Sequence, residues 1–377
     1  MVMKIALMGY GVVNMGVYKI IQEEKKRWAL RFKEPIEVKK IVVRNVNRER
    51  KIPAPRDLFT SDAEEVFSDP SIDLIVEATS SKDQSIEYIR RALSTGKDVV
   101  TSNKAAVAAA YDELAALAEK NGRTFLFEAS VCGAIPLLDS LRRRLAFNEI
   151  SEVKGIVNGS SNYVLTELTK GRDLGAVMKE AREKGVLEED PTDDLCGLDA
   201  RRKLVILADL ILGGGVKESQ IPCIGVDRIE AGDLKALGEE GKTVKLIAHF
   251  KKEKEGAFSA SVVPTALSSS TQLAQAGDVW NMVYLYCSRA GELRFFGAGG
   301  GMDPTADAIL TDIYSAEQGG RPMALPLLPG KRENLAGKRI HSFYLRRPEE
   351  KGKRVEMNLD DAVKEYQAGA CVILLEE

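Results

Sequence analysis

MKIALMGYGVVN, residues 3–14, is an apolar run that breaks into glycines and then into a helix-like stretch. Met3 to Met8 reads as a buried first strand that feeds a tight turn at Gly9-Tyr10-Gly11. From Val12 to about Arg31, Val13, Val17, Ile20 and Ile21 form the apolar stripe of a helix whose second half is charged. A dinucleotide fold places its phosphate turn between such a strand and such a helix. The first glycine permits the turn, the second lets a pyrophosphate approach the backbone, and the helix N-terminus offers free N–H groups and a positive dipole end. Gly9, Gly11, Val12 and Val13 are therefore candidate cofactor contacts. A GxG by itself is also what any tight turn prefers, so its position carries the argument. Asn14 stands where a third glycine is usual and Gly16 follows two residues later, so the packing of the helix must be eased differently here.

The same rhythm continues downstream. Ile36 to Val43 alternates as a second strand, Asn45 to Asp57 is a charged surface loop with two prolines, and Ile72 to Ala78 is a third strand. A helix over Asp83 to Ser94 closes at Gly96. A short strand at Asp98 to Thr101, an alanine-rich helix over Ala105 to Lys120 and a strand at Thr124 to Glu128 follow. Alternating strands and helices predict an α/β arrangement, a Rossmann-type dinucleotide-binding domain over residues 1–135. Beyond Pro136 come a helix (Leu137 to Leu145), a strand (Ile150 to Val157), a polar turn (Asn158-Gly159-Ser160-Ser161), a helix over Leu195 to Leu212 and a strand-rich stretch from Val244 to Phe296. This order predicts a second, α+β domain over residues 136–301. Gly297, Gly299, Gly300, Gly301 and Pro304 mark a junction. Residues 302–330, with a helix over Ala306 to Ala316, return to the nucleotide domain. Residues 331–377 form a short C-terminal segment ending in a helix (Asp360 to Gln367) and a strand (Cys371 to Leu375).

Composition narrows the function classes. The 377 residues suit two or three domains, and 44% hydrophobic with 29% charged residues is ordinary for a globular protein. Fifty-four basic against 56 acidic residues, a net charge of -2, lack the basic excess of a nucleic-acid binder. The five cysteines form no CxxC pair, which argues against a disulfide framework or zinc site and for a reducing cytoplasm. No apolar run is long enough for a membrane span, and Met1 to Met8 lacks a signal peptide's basic head and cleavage site. Of the two histidines, His249 reads as a structural strand residue and His341 as exposed. Proton transfer then falls to Lys, Asp or Glu.

Two regions carry chemistry. At the end of the second strand, Val43-Arg44-Asn45 with Arg48 offers bases where an NAD site has an acid, which favours NADP(H) over NAD(H). Such residues also occur in any solvated loop. Thr101-Ser102-Asn103-Lys104 lies beyond a strand's carboxyl end, the edge where open α/β sheets bind ligands, so Ser102 and Lys104 are expected at the cofactor. Asp199 and Lys203 share one face of a helix at i,i+4, usually no more than a surface pair. The acidic stretch just upstream, Glu188-Glu189-Asp190-Pro191-Thr192-Asp193-Asp194, raises their interest, although Asp193 or Asp194 could simply cap that helix. The Ser160 hydroxyl is a candidate donor to an anionic group of a small-molecule substrate. Gly159 would let backbone approach it.

The GYGVV turn, VVTSNK, FEASVCGAIP, GIVNGSSNY, EEDPTDDLCGLDARRKLVILA and GAGGGMDPTADAILTDI, in order from residue 5 to about residue 315, resemble the homoserine dehydrogenase family. The resemblance implies NAD(P)-linked interconversion of L-homoserine and L-aspartate 4-semialdehyde on the route to threonine and methionine. Carried over by motif, Lys104 and Lys203 become catalytic lysines with Asp199 as carboxylate partner. Glu188 and Asp194, with Asp193, become substrate contacts. A sodium site would map to Glu128, Val131, Gly133 and Ile135, and a homodimer would form through the strand-rich domain. TSSKD (Thr79 to Asp83) replaces a glycine pair of the family, yet Thr79 and Ser80 are still expected at the cofactor ribose. His341 to Arg346 faintly resembles the opening of an ACT domain, but the tail is too short for one, so no threonine feedback through such a module is expected. The competing readings are another Rossmann dehydrogenase of a small amino or keto acid and a non-catalytic nucleotide-sensing module. Both lysines together with Asp199 speak against the sensor. Asn103 before Lys104, with no suitable histidine after it, speaks against a sugar dehydrogenase.

Overall fold

The protein is described here as a computed structural model covering residues 2–28, 35–319 and 332–376. The expected end of the first helix near Arg31, and residues 320–331 of the return and C-terminal segments, lie outside the described residues. Two compact units emerge, Met1–Arg143 with Gly300–Leu327, and Arg144–Gly299 with Leu328–Glu377.

In chain order the first unit holds β1 (Met3–Met8), α1 (Val12–Trp28), β2 (Ile36–Val42), β3 (Phe59–Thr60), α2 (Glu64–Phe67), β4 (Leu74–Glu77), α3 (Lys82–Ser94), β5 (Asp98–Thr101), α4 (Lys104–Lys120), β6 (Phe125–Leu126) and α5 (Leu137–Leu145). The second continues with β7 (Ile150–Ile156), α6 (Gly159–Thr169), α7 (Leu174–Glu183), α8 (Thr192–Leu195), α9 (Leu198–Leu212), α10 (Ala231–Glu239), β8 (Lys242–Lys252), β9 (Phe258–Ser268), α11 (Gln272–Gln275), β10 (Trp280–Cys287) and β11 (Gly291–Ala298). α12 (Met302–Glu317) belongs to the first unit. β12 (Ile340–Arg346), β13 (Lys353–Asn358), α13 (Leu359–Gln367) and β14 (Cys371–Leu375) complete the second.

The first sheet has the order β3-β2-β1-β4-β5-β6, all parallel, the arrangement of a dinucleotide-binding fold. β1 sits at its centre. Ile5, Leu7 and Met8 are fully buried, and each such side chain contributes about 1.5–3 kcal/mol of apolar burial. The α1 stripe packs on this sheet through Val17 and Ile21, alongside Ile309 and Ile313 of α12.

The second sheet has the order β11-β10-β7-β8-β9-β14-β12-β13. Its pairings are antiparallel except for β9 with β14, which run parallel. The C-terminal segment is thus built into this sheet: Phe343, Leu345 and Val372 share a core with Val263 of β9 and Ile224.

Three local expectations need correction. Asn158 to Ser161 is a helix start, because the Asn158 side chain accepts from the Ser161 N–H at 2.7 Å and caps α6. The helix expected from Leu195 is two helices, α8 and α9, divided where Gly197 takes a left-handed φ of 77°. The strand expected from Thr124 to Glu128 shrinks to Phe125–Leu126, since the chain turns into a single 3₁₀ turn at Glu128–Ser130.

Candidate active site

In the first unit the turn after β1 holds Gly9 at a φ of +84°, and a side chain there would meet Ala78 O at 3.2 Å. No atom lies within 4 Å of where a side chain at Gly11 would stand. That backbone is open to a ligand, and Val12, 57% exposed, begins α1 beside it, followed by half-buried Val13. Asn14 explains the missing glycine. Fully buried, it donates from Nδ2 to Met8 O (3.1 Å) and Gly9 O (2.9 Å), tying the turn to the strand that feeds it. Gly16 supplies close packing instead, against α12: a side chain there would meet Met302 Cγ at 2.8 Å and Ala306 Cβ at 3.1 Å. Arg44 is exposed, one residue beyond the Val43 N–H that bonds Thr60 O at 2.9 Å.

The carboxyl edge of this sheet is organised by Glu77, a residue the sequence reading did not single out. Its buried carboxylate takes the Thr79 N–H (2.8 Å), the Thr79 hydroxyl (2.5 Å), the Thr101 hydroxyl (2.8 Å) and the Ser85 hydroxyl. Burial raises its pKa, and the four donors oppose that rise. Thr79 therefore gives its hydroxyl to Glu77, whereas Ser80 is exposed. Thr101 Oγ1 accepts from the Asn103 N–H at 3.0 Å, and Asn103 in turn caps α4 through Ala106 N and donates to Thr79 O, both at 3.0 Å. Lys104, half-buried, is the first residue of α4, so its position follows from this chain of bonds. Ser102, also half-buried, accepts the Lys104 N–H on its carbonyl at 3.0 Å.

Further along, the two Glu128 carboxylate oxygens accept the Leu138 N–H (2.8 Å) and the Asp139 N–H (2.7 Å), capping α5. Ile135 O is taken by the Leu137 N–H at 2.7 Å, Val131 is buried, and Gly133 adopts a φ of 54°. The Glu128 N–H donates to Asp312 at 2.9 Å. Burial, with the neighbouring Glu128 charge, pushes Asp312 up to about 8. Among the described residues no cluster of three His, Cys, Asp or Glu side chains could hold a metal. A cation here would have to rest on backbone carbonyls.

In the second unit the structure joins Asp199 and Lys203 as the i,i+4 spacing suggested. Both are buried, at 4% and 8% exposure, and their ion pair closes at 2.7 Å. Lys203 Nζ also donates to Val157 O at 2.8 Å. Asn158, noted in sequence only as part of a turn, is the link between elements. Its Nδ2 donates to Asp199 (2.8 Å) and to Asp194 (2.7 Å), while its Oδ1 caps α6. Neither Asp193 nor Asp194 caps α9. Asp193 pairs with Arg202, and α9 follows Gly197, its N-cap, with no side-chain cap. Glu188 is exposed and remains apart from this network. The Ser160 hydroxyl is engaged with Val186 O at 2.8 Å. Gly159 is required by protein packing, since a side chain would meet Val279 O at 2.5 Å. His249 pairs with Glu152 at 2.8 Å, while His341, expected on the surface, is half-buried.

A buried lysine held by a carboxylate and a carbonyl is suited to orienting and transferring a proton, and an open glycine turn at a helix start to holding a pyrophosphate. Comparisons with known proteins identify the family. A family model described as the NAD-binding domain of homoserine dehydrogenase matches residues 9–128, and one described as homoserine dehydrogenase matches residues 136–314. The homoserine dehydrogenase of Corynebacterium glutamicum is 39% identical over 326 residues, which cover 84% of this chain and 73% of that protein. The crystal structure of a homoserine dehydrogenase from Thiobacillus denitrificans is 25% identical, with a TM-score of 0.86 over 100% of this chain and 99% of its own. A hyperthermophilic archaeal homoserine dehydrogenase solved in complex with NADPH is 27% identical, with a TM-score of 0.71 over 87% of this chain and 100% of its own.

Proposed function

The chain belongs to the homoserine dehydrogenase family, and on that premise we propose that Lys203 and Lys104 are its catalytic lysines and that NADP(H) is its preferred cofactor. The reaction is the NAD(P)-dependent interconversion of L-homoserine and L-aspartate 4-semialdehyde. The cofactor supplies or accepts the hydride. What remains for the protein is to orient substrate, deliver a proton to the developing alkoxide in one direction and remove it in the other.

The geometry of Lys203 carries this reading. An ammonium has three donors. Two are fixed, on Asp199 and the Val157 carbonyl, so the third has a defined direction towards substrate. Asp199 balances the buried charge, and Asn158 holds Asp199 and Asp194 in register. Asp194 receives the substrate ammonium, with Glu188 and Asp193 on the flanking acidic segment. The α-carboxylate takes backbone N–H groups near Gly159, because the Ser160 proton is already bound to Val186 O. Lys104, set at the sheet's carboxyl edge through Glu77 and Asn103, serves as the second amine.

For the cofactor, the residues present fit. Gly9, Gly11, Val12 and Val13 form the pyrophosphate turn, Ser80 and Ser102 line the ribose side, and Arg44 with Arg48 meets a 2′-phosphate. A monovalent cation, if used, rests on the carbonyls of Glu128, Val131, Gly133 and Ile135. We further infer a homodimer formed through the strand-rich unit, supported by the exposed, stacked Trp280 and Phe296 (5.4 Å between rings). A cytoplasmic setting fits the five free cysteines.

The decisive assay is homoserine-dependent NADP reduction by Lys203→Ala. Turnover is expected to fall about 10²–10⁴-fold with NADPH binding unchanged. Near wild-type turnover would remove Lys203 from the mechanism. For the cofactor, Arg44→Gln with Arg48→Gln is expected to weaken NADPH by about tenfold or more while sparing NADH, measured by fluorescence titration. An equal loss for both nucleotides would refute the preference.

A further inference from the structure

We propose that the cavity bounded by β8, β9, β12 and the turn before β12 is a binding site for a small oxyanion, held by Arg339, His341, His249 and Ser261. It has a volume of about 70 Å³ and brings together the only two histidines of the chain. By the space a buried water requires, that volume takes roughly five waters, enough for a tetrahedral or carboxylate anion. The apolar wall, including Phe343, excludes larger ligands.

The polar lining is unusual in what it leaves unused. Ser261 is 9% exposed, and among the described residues its hydroxyl makes no hydrogen bond. That hydroxyl lines the cavity and is free to donate to a bound acceptor. The His341 ring likewise has no hydrogen-bond partner among the described residues and meets Phe343 edge-on at 6.2 Å. Arg339 directs one N–H to Glu253 at 2.5 Å, and a guanidinium keeps four more. His249 directs Nε2 to Glu152 at 2.8 Å and retains its second ring nitrogen.

No acid lines the cavity; Asp360 lies beside Gly337, next to the lining Ala336, and three further acids nearby are engaged. Glu152 pairs with His249, Glu253 holds Arg339 and Ser259, and Glu356 accepts from Ser342. Lys251 on β8 and Lys154 on β7 also act on Glu152, the latter paired with Glu376. Burial and then the Arg339 and His249 charges lower the His341 pKa, with Glu356 opposing. The field at that ring is therefore net positive, which suits an anion. Two imidazoles are too few for a transition-metal site, and an arginine cannot ligate one.

Occupancy would join β12 to β8 and β9, and it would tighten as pH falls and His341 acquires a proton. The test uses the full-length protein, with [13C]histidine and NADPH present to fill the nucleotide site. Inorganic phosphate and acetate are titrated separately at pH 6 and pH 8, with chloride matching ionic strength. Only two imidazole signals exist, so each can be followed. We expect one of the anions to raise the apparent pKa of His341 and to bind about fivefold or more tightly at pH 6 than at pH 8. The anion that acts identifies the source, phosphate or carboxylate. Arg339→Gln and Ser261→Ala should each abolish the response. Absence of any response in the wild type overturns the proposal, as does a response that survives Arg339→Gln. So does a shift of both imidazole signals with zinc but with neither anion.

Discussion

Asn158 shows how one amide can serve three masters. It caps α6, and it steadies Asp199, the ion-pair partner of Lys203, together with Asp194. Asn158→Ala is expected to lose about 1 kcal/mol of capping. Turnover should fall further than that loss explains, because Asp199 would no longer be oriented. Asn158→Ser should restore most of the stability, since serine also caps, but little of the turnover; parallel denaturation and kinetic measurements decide. Lys245 makes a separate prediction. It is 2% exposed, donates to Asn162 at 2.9 Å, and burial lowers its pKa to about 8. In the unfolded chain the same amine holds its proton to about pH 10.4. Between those values the unfolded state binds more protons, so stability rises with pH across that window, and the full penalty is present below pH 8. Lys245→Met should therefore gain up to about 3 kcal/mol at pH 7 and flatten the rise above pH 8 in urea titrations. A loss of stability at neutral pH would show that the Asn162 contact outweighs desolvation. At this scale the sequence exposes the Asp199–Lys203 pair through helical spacing together with the acidic stretch upstream and the family resemblance. It conceals Asn158 and Glu77, whose partners lie far away in the chain and whose residue types are common in turns and strand ends.

Elements follow sequence where local pattern and burial agree. β1, β5 and α5 begin and end where apolar runs and charge changes place them, because a buried strand or amphipathic helix is written in adjacent residues. β3 and α2, at two and four residues, carry too little periodicity to announce themselves and exist through pairing with β2 and the turn around them. The division between α8 and α9 is legible only in retrospect, as a single glycine with a left-handed φ. Gly16 is the clearest case of an element-level requirement. In a helix interior, alanine gains about 1 kcal/mol over glycine. At Gly16 that gain is set against contacts of 2.8 Å to the flexible Met302 and 3.1 Å to Ala306. Gly16→Ala should accordingly change stability little. Gly16→Val adds two methyl groups beyond alanine where α1 meets α12 and should destabilise by about 1–3 kcal/mol. Equal stabilities for the two variants in thermal unfolding would mean that α1 and α12 are not in close register there.

For the molecule as a whole, the C-terminal segment is where composition misleads most. Its charge and brevity suggest an appendage, yet it supplies three strands of the second sheet, and β14 extends the sheet from β9. The link to chemistry runs through Arg332. This arginine, 9% exposed, donates to Leu212 O at 2.5 Å, the last carbonyl of α9, and to Gly214 O at 3.1 Å just beyond it. α9 is the helix that carries Asp199 and Lys203. Carbonyls at a helix end must find donors, and a cation there also opposes the negative end of the dipole. Arg332→Gln should then destabilise the protein by about 1–3 kcal/mol and lower turnover more than it raises KM. Deleting residues 332–377 should have a larger effect, because it uncovers Val263 and Ile224 and leaves the β9 edge unpaired. The expected result is aggregation or loss of cooperative unfolding, followed by calorimetry and light scattering. If the truncated chain instead unfolds cooperatively near the wild-type temperature and keeps its turnover, the segment is an appendage after all, and the support proposed for α9 does not operate.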